Sequence, residues 1–214
     1  MKTDPTLWYV ADPMCSWCWG FTSVIEAIEK AYHDRSTVSL VMGGLRPGTV
    51  EPITPAERDE IFHHWHEVQR RTGQVFTFEG AMPEGFVYDT EPSNRAVVAV
   101  SALKPDATLP YFERVQAAFY MEQKNVTQAD VLAQLAEGVG VEADRFFQAF
   151  RSLEVKAKTL EQFRQVYHWG VRGFPTVILQ HAQELSVLTR GYRPFEDLQP
   201  TLDAWLSSRD TQRG

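Results

Sequence analysis

Two cysteines, Cys15 and Cys18, are all the thiol this 214-residue chain has. They stand in the run Cys15-Ser16-Trp17-Cys18, a C-x-x-C spacing. That spacing lets two thiols alternate between dithiol and disulfide with little backbone movement. A short apolar run, Leu7 to Ala11, precedes the pair, and helix-period residues follow it, so the pair falls where a strand hands over to a helix. A helix start presents free N–H groups and a partial positive charge, which favour an anion. The anion favoured here would be a Cys15 thiolate, both nucleophile and leaving group. Cys18, one turn later and deeper, is placed to attack a mixed disulfide on Cys15 and release its partner.

Two other readings of the pair are weaker. Zinc needs four ligands. No second C-x-x-C exists, and His33, His63, His64, His66, His168 and His181 have no ligand-like spacing to the cysteines. Inert buried cysteines would not require a strand-to-helix junction. A two-cysteine chain is also not the disulfide framework of a small secreted protein.

A second chemical signal lies far along the chain. In Gly170-Val171-Arg172-Gly173-Phe174-Pro175-Thr176-Val177-Ile178-Leu179, a proline follows a Gly-x-x-Gly turn and opens an apolar strand. Such a turn fits a cis peptide bond before Pro175, a geometry kept for a reason where it occurs. An ordinary trans proline at a strand start is the alternative. The presence of the C-x-x-C pair favours cis.

The elements that must position these residues follow from periodicity. Leu7 to Ala11 reads as a buried strand. One helix runs from Cys15 to Tyr32 on Phe21, Val24, Ile25 and Ile28. Val38, Leu40 and Met42 mark a second strand ended by Gly43-Gly44. Helices are predicted over Pro55–Arg71 (Ile61, Phe62, Trp65, Val68), Ser93–Leu103 with Ser93 as its cap, Leu109–Glu122, Gln128–Gly138, Glu142–Phe150 and Glu154–Trp169. In the last of these Leu160, Phe163 and Tyr167 form the apolar stripe. Two Pro/Gly-rich stretches, Arg46–Pro55 and Gly73–Pro92, read as connections. A strand from Thr176, a further strand on Leu185, Val187 and Thr189, and a final helix on Phe195, Leu198, Leu202, Trp205 and Leu206 complete the order: β-α-β, a helical block, β-β-α.

The chain resembles the DsbA family of thioredoxin-fold proteins, in particular its cytoplasmic branch with C-S-W-C or C-P-W-C centres, whose members are described as candidate protein disulfide isomerases. The resemblance rests on Asp12 to Phe21, on Glu91-Pro92-Ser93-Asn94-Arg95-Ala96 and on Gly170 to Thr176. The element order extends it over nearly the whole chain. It implies an α/β thioredoxin fold with an inserted all-helical domain: residues 1–45 and 170–214 would form the thioredoxin unit and residues 46–169 the insert. It also implies that Cys15 is the exposed nucleophile, Cys18 the resolving thiol and Pro175 a cis-proline facing them. Ser16 and Trp17 would tune the thiolate, and Phe174 and Trp19 would line the substrate groove, where the Phe174 backbone could pair with an extended peptide. Two departures stand out. Thioredoxins place a buried acid six residues before the first cysteine, where this chain has Tyr9. Many relatives have Val, Thr or Ile where Phe174 stands.

Composition bounds the function. Hydrophobic residues make up 43% and charged residues 23%, values of a globular protein rather than a disordered one. The net charge of −7 and the lack of any Lys/Arg cluster exclude a general nucleic-acid binder. No run nears the roughly 18 apolar residues of a spanning helix, and Met1 to Thr6 has no secretory pattern, so a cytoplasmic protein is expected. Three tempting features carry less. His63-His64-Trp65-His66-Glu67 reads as a solvated face beside a buried tryptophan. Phe76, Phe78, Phe86 and Tyr88 read as packing beneath a long loop, or as lining of a cleft between domains. Gly43-Gly44 lacks the Lys and Ser/Thr of a phosphate loop.

The expectation is a thiol–disulfide oxidoreductase or isomerase working through Cys15 and Cys18. It would need no metal or bound organic cofactor, with glutathione as a candidate co-substrate. Its partners would be protein or small-molecule thiols and disulfides, with glutathione or thioredoxin supplying electrons, and neither nucleic acid nor membrane. The main rival is a glutathione-dependent isomerase or transferase of the kappa-class or 2-hydroxychromene-2-carboxylate isomerase type, which holds the glutathione thiolate with a serine. A thioredoxin scaffold that binds a partner without turnover is the third reading. The direction of electron flow stays open.

Overall fold

The computed structural model describes residues 5–210; residues 1–4, on which the reading of the N-terminus rests, and residues 211–214 lie outside them. Among the described residues a four-stranded sheet has the order β2-β1-β3-β4, built from β1 (Thr6–Ala11), β2 (Thr37–Met42), β3 (Thr176–His181) and β4 (Glu184–Arg190). β1 and β2 run parallel, and β3 pairs antiparallel with both β1 and β4. Side chains alternate across a strand, so β1 serves both faces. Leu7, Tyr9 and Ala11 join the main core, while Val10 joins a smaller cluster with Val41, Val166, Val171 and Ile178.

The helix expected over residues 15–32 is two helices, α1 (Ser16–Gly20) and α2 (Thr22–Tyr32). They part at Phe21, whose N–H bonds to the Cys18 carbonyl at 3.1 Å, a tighter span than a continuing α-helix makes. Thr22 Oγ1 also takes up the Trp19 carbonyl at 2.9 Å. The bend seats Gly20 against the next helix, α3 (Pro55–Thr72). A Cβ on Gly20 would stand 2.7 Å from Val68 Cγ1.

Between β2 and β3 the regular structure is helical: α3, α4 (Glu91–Leu103), a 3₁₀ turn, α5 (Thr108–Tyr120), α6 (Ala129–Glu137), α7 (Ala143–Arg151) and α8 (Leu153–His168). The two long connections meet at a β-bridge, Pro52 to Val87, and where the Arg46 and Gly48 N–H groups donate to Thr90 Oγ1 and Asp89 Oδ1. A reciprocal capping box between Thr54 and Glu57 starts α3. α4 begins two residues before the expected Ser93 cap. Ser93 is buried inside the first turn and donates to the Thr90 carbonyl, and it is Asp89 Oδ1 that accepts the Glu91 N–H.

Two apolar stripes fall out of phase with expectation. On α8, Leu160 and Tyr167 are 48% and 66% exposed, and the buried side chains are Val155, Thr159 and Val166. Of the expected stripe only Phe163 packs inward, against Gly44, whose positive φ of 68° suits glycine. On β4, Leu185 and Val187 are exposed and Leu188 is buried. The cause is a bulge: Val177 pairs with Thr189 and Ile178 with Val187, so Leu188 is the extra residue and the alternation flips there. The final helix, α9 (Phe195–Asp210), buries Leu198, Leu202 and Leu206 as expected, with Phe195 and Trp205 half-buried beside them.

Candidate active site

The site forms where β1 ends. Asp12 is fully buried there and ties three segments together. Its Oδ1 accepts the Met14 N–H at 2.8 Å; its Oδ2 accepts the Leu45 N–H at 2.7 Å and the Asn94 amide at 2.8 Å. The Asp12 carbonyl accepts the Cys15 N–H at 3.1 Å. One side chain therefore joins the end of β1, the chain leaving β2 and the first turn of α4. Burial pushes the Asp12 carboxyl up, and these hydrogen bonds pull the other way.

Cys15 caps α1 from an extended backbone conformation. Its Sγ lies 3.6 Å from the Phe174 carbonyl oxygen. The Phe174–Pro175 peptide bond is cis, and Pro175 is buried, its carbonyl accepting the Gly191 N–H. The turn before β3 is thus brought onto the C-x-x-C turn from 159 residues away. Cys15 keeps only 6% of its surface. The nucleophile expected to be exposed instead sits in the wall of a cleft of about 740 Å³. Tyr88 helps enclose that cleft, its hydroxyl donating to the Met14 carbonyl at 2.5 Å.

Cys18 is fully buried. Burial pushes its thiol well above the usual range; the Cys15 sulfur and the Asp12 charge add to the rise, and a hydrogen bond from the Asp12 backbone N–H opposes it. An outside disulfide can therefore reach Cys15 and not Cys18.

Ser16, Trp17 and Phe174 line the cleft beside Cys15. Trp17 is held from outside the motif. The Arg71 guanidinium lies 5.8 Å from its ring centre, and the Tyr192 ring lies 6.2 Å away. The bulk of Phe174 is accommodated by Gly43, where a Cβ would stand 2.3 Å from two atoms of the phenyl ring. Trp19 is a correction: it does not line the cleft. Two residues beyond Trp17 on a helix, it faces away. It is buried, its Nε1–H donates to the Val75 carbonyl at 2.9 Å, and its ring stacks on Tyr120.

The far wall carries residues that sequence reasoning missed. Arg46, Glu57, Glu60, His64 and Arg172 place charges of both signs around Cys15. The capping box marks where α3 starts, but nothing in the spacing says that this turn faces Cys15. His63 and His66 stay on the exposed face of α3 as expected, whereas His64 reaches the cleft. Among the described residues no cluster of His, Cys, Asp or Glu is arranged to hold a metal. Of the loop aromatics, only Tyr88 borders the cleft; Phe76 and Phe86 are buried around Trp65, Phe119 and Tyr120.

Comparison with known proteins agrees with this geometry. Residues 6–202 match the family model of the DSBA-like thioredoxin domain. The chain superposes on the crystal structure of a candidate protein disulfide isomerase from Nitrosomonas europaea with a TM-score of 0.92 and 47% identity, covering 96% of this chain and 99% of that one. It superposes on the cytosolic disulfide reductase DsbM from Pseudomonas aeruginosa with a TM-score of 0.75 and 27% identity, over 97% and 98% of the two chains. DsbM with GSH is similar at a TM-score of 0.74. The ClpXP adapter protein SpxH of Halalkalibacterium halodurans is 20% identical over 193 residues, which is 86% of this chain and 62% of SpxH, so the chain spans less than two thirds of that relative's length. With a matching family model over residues 6–202, a cis-proline turn set on a C-x-x-C helix start and a shared fold, the chain belongs to the DSBA-like thioredoxin domain family.

Proposed function

We propose that this protein exchanges disulfides through Cys15 and Cys18, with Cys15 as the nucleophile and Cys18 as the resolving thiol. The supporting observation is the unequal access of the two sulfurs: Cys15 opens onto the cleft against the Phe174 carbonyl, and Cys18 is sealed behind it. A Cys15 thiolate attacks a substrate disulfide and forms a mixed disulfide. Cys18 then attacks Cys15, and the substrate leaves as a thiol. The turn at Pro175 keeps the Phe174 backbone beside the reacting sulfur, and Ser16, Trp17 and Phe174 border the bound substrate. Residues 46–169 act as the insert that walls the far side of the cleft.

In this reading the protein works reductively in the cytoplasm, where thiols are kept reduced, and glutathione or thioredoxin returns its electrons. The similarity to a cytosolic disulfide reductase, itself seen with GSH, favours this direction. No step calls for a metal or bound organic cofactor.

The test is a glutathione redox titration of the purified protein, with the state of the pair read by thiol alkylation and mass. A reversible two-electron transition between the dithiol and a Cys15–Cys18 disulfide is expected, and its midpoint separates reductant from oxidant. A pair that stays reduced throughout, or that carries glutathione on Cys15 without closing to Cys18, overturns the reading in favour of a glutathione-dependent transferase or isomerase.

A further inference from the structure

The resolving step needs a group to support the sulfur of Cys18 as it loses its proton, and Cys18 is fully buried. Four titratable groups face it or its immediate neighbour. Cys15 lies above. The Asp12 carboxylate lies at the end of β1. Tyr9 on β1 meets the Cys18 backbone through its hydroxyl, and Glu113 on α5 acts on Tyr9. Asp12 is poorly suited to receive the proton. Both of its oxygens already accept hydrogen bonds, from Met14, Leu45 and Asn94, and its charge opposes a second negative charge on Cys18.

Tyr9 is differently placed. It is fully buried, with its ring fixed between Phe21 and Phe112 at 5.7 Å and 5.9 Å. Its hydroxyl donates to the Cys18 carbonyl oxygen at 3.5 Å, and the Cys18 thiol is the neighbouring group that acts most strongly on the phenol. Strand register holds it there: Tyr9 pairs with Leu40 on one side and Val177 on the other, in the centre of the sheet. Burial, followed by the charges of Cys18 and Cys15, pushes its phenol well above the ordinary value, so it keeps its proton at any working pH.

We infer that the Tyr9 hydroxyl is the buried hydrogen-bond donor that stabilises the Cys18 thiolate while it resolves the mixed disulfide. The inference rests on the exchange reading proposed above. In the step, the Cys18 sulfur loses its proton and bonds to the Cys15 sulfur. The bond between Cys15 and the substrate sulfur breaks, and its electron pair leaves on the substrate thiolate. Cys15 and Cys18 end as a disulfide, the substrate is reduced, and the proton given up by Cys18 ends on the released thiol. Tyr9 donates throughout and transfers nothing. A hydrogen bond to a developing charge in a buried pocket is among the stronger kinds.

The experiment uses thionitrobenzoate on Cys15 as the substrate half. Attack of Cys15 on the aromatic disulfide reports the first step. Release of coloured thionitrobenzoate as Cys18 closes onto Cys15 reports the second. Tyr9→Phe keeps the ring and removes the hydroxyl. Closure is expected to slow by roughly 10- to 100-fold and its pH midpoint to rise by about one unit, with the first step and the melting temperature unchanged. Glu113 and Asp12 titrate alike in both proteins, so the difference between the two profiles belongs to the phenol. Site-specific 3-fluorotyrosine at position 9 keeps the ring and makes a stronger donor, so its midpoint should fall below that of the unmodified protein. Closure by Tyr9→Phe at the unaltered rate and midpoint overturns the inference. So does equal slowing of both steps with a lowered melting temperature, or a fluorotyrosine protein whose midpoint does not move. If the unmodified protein attacks the reagent but never closes, the exchange reading falls and this inference with it; if it closes and only the variants fail to differ, the exchange reading stands.

Discussion

The face of the sheet beneath α2 and α5 packs Tyr9, Ala11 and Met42 into the main core together with Cys15 and Cys18, and Asp12, Asn94 and Gln116 are buried around it. The opposite face, beneath α8, is closed by a small cluster of Val10, Val41, Val166, Val171 and Ile178. Both faces hang on the same two inner pairings, β1 with β2 and β1 with β3. The difference lies in what each can hold. A buried polar group must find hydrogen bonds, and the first face draws them from segments far apart in the chain: Asp12 from Met14, Leu45 and Asn94, and Thr22 with Gln116. The second face covers apolar strand residues with a single helix. Chemistry sits where the fold can satisfy charge, and the other side supplies cover.

The largest break in that contrast is Asp12→Ala. It leaves the Met14 and Leu45 N–H groups and the Asn94 amide without their acceptor in a buried site. A loss of about 4 kcal/mol is expected in urea unfolding, together with slower exchange at Cys15, because the turn before it loses its tie. A variant of unchanged stability would show that Asp12 does not hold the three segments together.

Val166→Ala probes the covering face. Removing two buried methyl groups should cost about 2 kcal/mol and leave the rates of both exchange steps as they were. A slowed exchange at unchanged stability would mean that the two faces are not separate in function.

The smallest effect has the opposite sign. Burial, then the like charges of Glu26 and Glu29, pushes Glu113 on α5 up to about 7. Its folded value lies above its unfolded one, so its contribution to stability is full below about pH 4.3 and is lost as pH rises through 7. Glu113→Gln, neutral at every pH, should gain about 1 kcal/mol at pH 8, since water still reaches the side chain. It should gain nothing at pH 4. Melting temperatures at the two pH values decide it; an equal gain at both would remove the titration as the cause.

How much of this could be read beforehand depends on how local each signal was. The element order, the C-x-x-C pair at a helix start and the turn at Pro175 were legible because strand alternation, helix period and the Gly-x-x-Gly-Phe-Pro run are contained within a few residues. The phase of α8 was not. Leu160 and Tyr167 make a good stripe on paper, yet α8 turns Val155, Thr159 and Val166 inward, because it must pass over β2 with Phe163 seated on Gly44. The β4 bulge was invisible for a similar reason, since it is a property of the pairing with β3. Within the site, Cys15, Cys18, Ser16, Trp17 and Phe174 come together as their motifs suggest. The burial of Cys15, the turning away of Trp19 and the cleft residues Tyr88, Arg46 and Arg172 all depend on how the helices between β2 and β3 fold back over the sheet.

The packing of Phe174 on Gly43 makes the two positions one evolutionary unit. Adding even a methyl group at position 43 sets it 2.3 Å from the phenyl ring, so Gly43→Ala must push the Phe174 ring toward the cleft that it lines. Phe174→Val empties that space and makes the second substitution admissible. The order of changes therefore matters: narrowing position 174 first lets the residue after β2 grow without a clash, whereas the reverse order moves the ring into the cleft.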